Sequence, residues 1–300
     1  MKNTTKKKKP SINKTLRDSE LHYRRFFETA RDGILILDAD SGMITDVNPF
    51  LITMLGYSRE EFLEKKLWEV AAFQDIETSK SSFEELRRNE YIRYNDLPLK
   101  ARDGRLIQVE FISNTYLVGN KKVIQCNIRD ISQRRRDEEK LEYISIHDSL
   151  TELYNHAYFQ EEMSRLERGR LFPVSIVMID LDGLKTINDR YGHAAGDNQL
   201  RRTAQVLIEA FRAEDVVARI GGDEFAVLLP GTDPIALQKV MARVREIVDM
   251  QNELMPGPAL SISIGGATGD QSLVDTLNIA DANMYLEKQQ KSASSAKKEP

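Results

Sequence analysis

The sequence predicts a mixed α and β chain of two domains: an N-terminal five-stranded sheet domain, a helical linker, and a C-terminal α/β or α+β domain around one central sheet. Three observations carry that expectation. The length, 300 residues, is about two domains' worth of chain. Between residues 18 and 131, short strand-like runs are separated by turn pairs rich in Gly, Asp and Asn. From His147 onward, apolar runs alternate with stripes at helical spacing.

Composition narrows the function classes. Lys and Arg total 43 and Asp and Glu 47, a net charge of −4, which argues against a surface built throughout to grip nucleic acid. The apolar runs, such as residues 34–37 and 226–229, fall far short of the ~20 residues of a membrane span. Lys6, Lys7, Lys8 and Lys9 precede Pro10 with no apolar stretch behind them, so no secretory signal is expected there. One cysteine, Cys126, leaves no internal disulfide and no cysteine-based zinc site. The expected location is cytoplasmic.

Residues 1–17 form a polar, basic stretch expected to be a disordered tail. Residues 34–38 and 43–47 read as strands around the turn Asp40-Ser41-Gly42. Asn48 and Pro49 open a short helix as cap and first residue, and Gly56 ends it. Ser58 and Glu61 make a capping box for the next helix. Residues 68–88 read as helical or irregular. Three strands follow at about 91–100, 105–117 and 122–131, separated by Asp103-Gly104 and Gly119-Asn120.

That order, together with Asp46-Val47-Asn48, Leu55-Gly56-Tyr57-Ser58, Glu61, Ala101-Arg102-Asp103-Gly104 and Arg129-Asp130-Ile131-Ser132, resembles a PAS domain over residues 18–131. The resemblance implies a small five-stranded sheet that holds a ligand or dimerises, and the ligand is unknown. Cys126 on the last strand does not suit a flavin photo-adduct. His22, the lone histidine of this tract, lies ahead of the first strand and does not suit a haem ligand. Residues 132–146 are dense in charge and read as a solvated helical linker, with Leu141 and Ile144 as sparse apolar points.

In the second tract, residues 174–180 read as a buried strand. Leu200, Ala204, Leu207 and Phe211 mark one face of a helix after Asp197. Residues 216–220 and 224–229 flank Gly221-Gly222-Asp223 as a hairpin, its glycines expected at positive φ. Residues 260–264 form another strand, and Leu273, Leu277, Ala280 and Met284 the inner stripe of a last helix. Residues 291–300 are expected to be a disordered tail.

Two acidic clusters stand out: Asp180-Leu181-Asp182 where a buried strand runs out, and Asp223-Glu224 at the hairpin. Such carboxylates suit Mg²⁺, which takes one or two carboxylates plus phosphate oxygens and water. Lys185 and the amides after Asp182 suit phosphates. Spacing alone fits equally a helix cap at Asp182 and a plain polar turn at Asp223-Glu224.

Gly221-Gly222-Asp223-Glu224-Phe225 resembles the defining motif of the GGDEF family, the diguanylate cyclases. The likeness extends from His147-Asp148-Ser149-Leu150-Thr151 through Asp180-Leu181-Asp182, Lys185, Asn188-Asp189, Tyr191-Gly192-His193 and Gly196-Asp197 to Ser263-Ile264-Gly265 and residues 280–285. It covers residues 147–290. It implies a fold similar to polymerase palms and adenylate cyclases, and a reaction in which two GTP condense to cyclic di-GMP and two pyrophosphates across a homodimer; from charge and apolar runs, no nucleic acid or membrane partner is expected. By the resemblance, Mg²⁺ or Mn²⁺ would be held by Asp180, the Leu181 carbonyl, Asp223 and Glu224. Asp223 would also accept a proton. Lys185 and Lys288 would meet phosphates. Asn188, His193 and Asp197 would bind the nucleotide, Asp197 reading guanine. A branch of the family that makes mixed cyclic GMP-AMP has Ser at that position, so Asp197 favours cyclic di-GMP. Asp197 also reads as a helix N-cap. Arg212-Ala213-Glu214-Asp215 matches the family's RxxD product-inhibition site, with Arg212 and Asp215 as its ligands.

Leu184, Glu152 and Ser292 depart from the family pattern, where Phe, Gly and Arg are usual. None removes a metal ligand. The rival reading is an inert receptor that takes up cyclic di-GMP or GTP without turning it over.

Overall fold

The computed structural model describes residues 12–73, 89–169, 171–254 and 257–296. Lys6 to Lys9 and most of the 68–88 stretch lie outside them. The chain divides into two units, Met1–Glu138 and Glu139–Pro300. Among the described residues, no helix is long and apolar enough to cross a membrane.

The first unit opens with helix α1, Ile12–Thr29. Residues 12–17 are therefore helical, which corrects the expected tail. The reason is an anchor further on: Phe27 is buried and its carbonyl accepts from Asn48 Nδ2. Strands β1 (Gly33–Asp38) and β2 (Ile44–Val47) follow, then helices α2 (Pro49–Leu55) and α3 (Arg59–Phe62) and two 3-10 turns, Leu67–Glu69 and Ala71–Phe73. Strands β3 (Tyr91–Lys100), β4 (Leu106–Val118) and β5 (Lys121–Asp130) complete an antiparallel sheet of order β2-β1-β5-β4-β3. Asn48 caps α2 as expected: its Oδ1 accepts from the Leu51 and Ile34 amides.

Alternation along β4 and β5 sends Ile107, Val109, Phe111, Ile124, Cys126 and Ile128 into one core with Leu51, Phe62 and Phe73. Cys126 is 1% exposed and Ser113 Oγ lies 2.9 Å from its Sγ. Burial pushes the thiol up to about 12, against a small opposing pull from Ser113. The nucleophile is the thiolate. A thiol-reactive disulfide reagent at pH 8 is therefore expected to leave the native chain unlabelled and to modify one thiol after denaturation. Labelling of the native chain would refute this burial.

Helix α4, Ser132–Ile146, matches the expected linker; Leu141 and Ile144 are exposed on it.

The second unit holds a sheet of order β10-β7-β9-β8-β6, from β6 (Tyr154–Asn155), β7 (Val174–Leu181), β8 (Val216–Arg219), β9 (Glu224–Pro230) and β10 (Ile262–Gly269). Only β6–β8 is parallel. Helices α5 (His156–Glu167), α6 (Leu184–Tyr191), α7 (His193–Ala210), α8 (Pro234–Leu254) and α9 (Leu273–Ala296) surround it. Helix α9 continues past residue 290, which corrects the second expected tail; Ala, Ser, Gln and Lys extend a helix at little cost.

Every residue of β7 is buried. Its Val177, Ile179 and Leu181 join one core with α7 and α8, while Val174, Ile176 and Met178 join another with Leu273, Ala280 and Met284 of α9. Period-two alternation therefore puts Asp180 on the α9 side. That face is tightly sealed. A Cβ on Gly265 of β10 would fall 2.0 Å from the Met284 nitrogen, so only glycine lets α9 lie this close.

Candidate active site

Asp180 is the penultimate residue of β7, opposite Ser263 on one side and Glu224 on the other. The Leu181 amide donates to the Asp223 carbonyl at 2.9 Å, which fixes the hairpin turn beside the strand end. Neither Gly221 nor Gly222 has positive φ, contrary to expectation. A Cβ on Gly221 would sit 2.6 Å from Glu224 Oε2, so any larger residue there would make that carboxylate swing away.

Asp180 is 4% exposed. Its Oδ2 accepts from Lys288 Nζ at 2.7 Å, and its Oδ1 is buried with no hydrogen-bond partner. Burial raises its pKa, the bond to Lys288 opposes this, and the charges of Asp223 and Asp182 raise it further; the net is upward. For Lys288, burial pulls down, but the bond to Asp180 and the fields of Asp223 and Asp182 outweigh it and the net is also upward. Lys288 is thus seated on Asp180, a partner the sequence reading does not include.

A buried carboxylate oxygen without a donor is costly unless something else meets it. Asp223, whose charge acts on Asp180, and Glu224, the cross-strand partner of Asp180, are half-buried carboxylates, and hard oxygens of this kind suit a divalent ion that shares its shell with phosphate and water. Among the described residues, no three His, Cys, Asp or Glu side chains are gathered closely enough to hold a metal alone.

Asp182 does not cap α6. Gly183 is the cap, at φ 74, and no side chain caps the helix. The Asp182 carboxylate instead accepts from Ser261 Oγ and Ser263 Oγ, both at 2.8 Å. Lys185, second in α6, is exposed. Asn188, on the inner side of α6, has a buried Oδ1 with no partner. It lies against the first turn of α7, where a Cβ on Gly196 would come within 2.0 Å of that oxygen. Asp197, half-buried, is the next residue. It is not a helix N-cap: α7 begins four residues earlier at His193, which is exposed, with Gly192 as cap. The structure therefore brings Asn188 close to Asp197, and Asp180 close to Asp223 and Lys288.

Arg212 and Asp215 lie apart from this cluster along the chain. The Arg212 amide donates to Asp215 Oδ2 at 2.8 Å, and the Arg212 guanidinium is exposed. Burial raises the Asp215 pKa, Glu214 adds to it, and the Arg212 amide and the charges of Arg212 and Arg243 pull back. Both residues line a groove of about 430 Å³ with Thr232, Lys239 and Arg243. Sequence reasoning missed Lys239 and Arg243; their i, i+4 spacing on α8 was the available signal.

It also missed Arg219. This 14%-exposed side chain bonds Asp148 at 3.1 Å and donates to the Gly222 carbonyl at 2.8 Å, tying residue 148 to the hairpin turn. Burial acts to raise the Asp148 pKa, but bonds from Thr151 and Arg219 outweigh it and hold the carboxyl below its ordinary value. Glu152, where glycine is usual in the resembled family, has φ 61. The glycine preference is thus a backbone requirement that glutamate meets with strain.

The order of elements agrees with what comparison with known proteins finds. The family model described as "Diguanylate cyclase, GGDEF domain" matches residues 145–294, and a PAS domain model matches residues 31–133. "Diguanylate cyclase DgcM" of Escherichia coli K12 is 29% identical over 278 residues, 89% of this chain and 66% of that protein. The chain thus spans just under two thirds of that relative's length. An uncharacterised signalling protein of Caulobacter vibrioides is 30% identical over 280 residues, 90% of this chain and 33% of its own length. Among solved structures, the coiled coil and GGDEF domain of DgcB from Caulobacter crescentus in complex with c-di-GMP covers 53% of this chain and 89% of its own, at 24% identity and a TM-score of 0.49. The chain belongs to the GGDEF diguanylate cyclase family, with a PAS domain ahead of its GGDEF domain.

Proposed function

We propose that the chain is a PAS-regulated diguanylate cyclase that condenses two GTP into cyclic di-GMP and releases two pyrophosphates. The observation that carries this reading is the buried, unpartnered Oδ1 of Asp180 beside the Asp223 turn. Asp180, Asp223, Glu224 and the Leu181 carbonyl would hold Mg²⁺ or Mn²⁺. When bound, a divalent ion lowers the pKa of the attacking hydroxyl and neutralises charge on the leaving pyrophosphate.

The chain's own residues do the rest. Lys185 and the first amides of α6 take phosphate oxygens at a helix N-terminus that no side chain caps. Lys288 adds a second cation there. Asn188 and Asp197 meet the base, and His193 opens the same helix turn. The Asp197 carboxylate accepts from guanine N1–H and the exocyclic amine, a donor pair that adenine lacks. Each 3′-oxygen bonds to the α-phosphorus of the other nucleotide, the bond from that phosphorus to pyrophosphate breaks, and the hydroxyl proton passes to Asp223. One domain holds one GTP, so two copies face each other as a homodimer, and the linker governs how they meet. Product binds back at Arg212 and Asp215 in the α8 groove and slows turnover.

Incubation with GTP and Mg²⁺, followed by chromatography, tests this. Cyclic di-GMP is expected from the wild-type chain, with at least a 10²-fold loss in Asp223→Ala, and less product when cyclic di-GMP is added at the start. Nucleotide binding with no turnover would overturn the enzyme reading in favour of a receptor.

A further inference from the structure

Asp182 is an acidic residue at the strand end to which the reading above gives no role. Both of its oxygens are engaged: Oδ2 accepts from Ser261 Oγ and Oδ1 from Ser263 Oγ, each at 2.8 Å, and Lys291 Nζ stands 3.6 Å from Oδ2. Its amide donates to the Ser261 carbonyl at 2.9 Å. Asp182 is thereby clamped, at backbone and side chain together, to the residue before β10 and to the start of that strand.

The allocation of Ser263 is informative. Its cross-strand partner is Asp180, yet its fully buried hydroxyl serves Asp182. The clamp is closed while Asp180 keeps an oxygen without a donor. Two neighbouring aspartates thus have opposite hydrogen-bond states, one saturated and one open.

Asp182 also sits where a clamp has leverage. Gly183 follows at φ 74 and ψ 15, and the Ile187 amide already bonds to the Gly183 carbonyl. A single left-handed residue therefore separates the clamp from the first turn of α6, which presents Lys185. A shift at Asp182 has no slack loop to absorb it before it reaches that ammonium and the helix amides.

We propose that Asp182 is a positioning residue for the triphosphate: through Ser261 and Ser263 it fixes the strand-to-helix turn that aims Lys185 and the first amides of α6, without itself holding an ion. The proposal rests on the cyclase reading. Misplacing a binding group by about an ångström costs rate or affinity of the order of tenfold to a hundredfold.

The experiment uses the full chain and the variants Asp182→Ala, Asp182→Asn and Ser263→Ala, with Asp180→Ala as reference. Steady-state kinetics with GTP are paired with binding of Mn²⁺ at a saturating concentration of a non-hydrolysable GTP analogue, read by electron paramagnetic resonance. The expected result is a KM for GTP raised about tenfold in Asp182→Ala, kcat within about threefold, and Mn²⁺ binding as in wild type. Asp182→Asn, which keeps one acceptor and can donate to the other serine, recovers part of the KM, and Ser263→Ala reproduces part of the defect. If Asp182→Ala aggregates, the Asn and Ser263 variants carry the same comparison. Loss of Mn²⁺ binding in Asp182→Ala to the extent seen in Asp180→Ala would make Asp182 a ligand and overturn the proposal. An unchanged KM in all three variants would overturn it equally. The wild-type chain is the control for the cyclase reading: no better GTP binding than Asp180→Ala would bring down that reading and the inference with it, whereas a competent wild type with indifferent Asp182 variants sinks the inference alone.

Discussion

Asp180→Asn is expected to abolish divalent-ion binding and lower cyclic di-GMP formation by at least about 10²-fold to 10³-fold, while the domain stays folded. The substitution keeps the shape of the side chain and removes its charge. Its direction on stability follows from the raised pKa of Asp180, set by burial and by Asp223 and Asp182 against the opposing bond from Lys288. A carboxyl whose folded pKa lies above its unfolded value disfavours the folded state when ionised, and that penalty is relieved as pH falls through the raised value. Wild type should therefore gain relative to Asp180→Asn on mild acidification. Calorimetric titration with Mn²⁺ in the presence of a non-hydrolysable GTP analogue, product chromatography and melting curves at several pH values check the three statements. Retained ion binding in Asp180→Asn would refute the ligand assignment.

Gly265→Ala is expected to be the most damaging single methyl in the second unit. The new Cβ would lie 2.0 Å from the Met284 nitrogen, 2.4 Å from the Ala280 oxygen and 2.7 Å from the Asn283 carbonyl carbon. All three are backbone atoms of α9, so no side-chain rotation relieves the clash and the helix must move off the sheet. Overpacking of this kind costs about 3 kcal/mol, or roughly 10 °C in the melting temperature of a domain this size. Activity should fall as well, because Lys288 and Lys291 ride on the displaced helix. A variant that melts with wild type would show that α9 is not seated on β10 as described.

Much of this was legible in the sequence, for local reasons. The strands of the first unit alternate, and Gly104 and Gly119, at φ 89 and φ 63, mark their turns. The Asn48-Pro49 cap and the Ser58–Glu61 box depend on neighbours a few residues apart. Helix α8 carries a readable stripe at Leu237, Met241, Val244 and Val248, although the expectations above do not include it. Strand β6, two residues long, has no periodicity to read. The partners of Asp180 and Asp182 lie 108 and 81 residues away, so no spacing rule reveals which acid is open and which is saturated. The same distance hid Arg219, 71 residues from Asp148.

The rings of Tyr143, His147, Tyr154 and Tyr158 stack in sequence at 4.1, 4.7 and 4.1 Å, and Asp148, the residue after His147, is bridged by Arg219 to Gly222. The last turn of α4 is therefore tied by ring stacking to β6 and α5, so a change in its orientation has to be matched by the rings of Tyr154 and Tyr158.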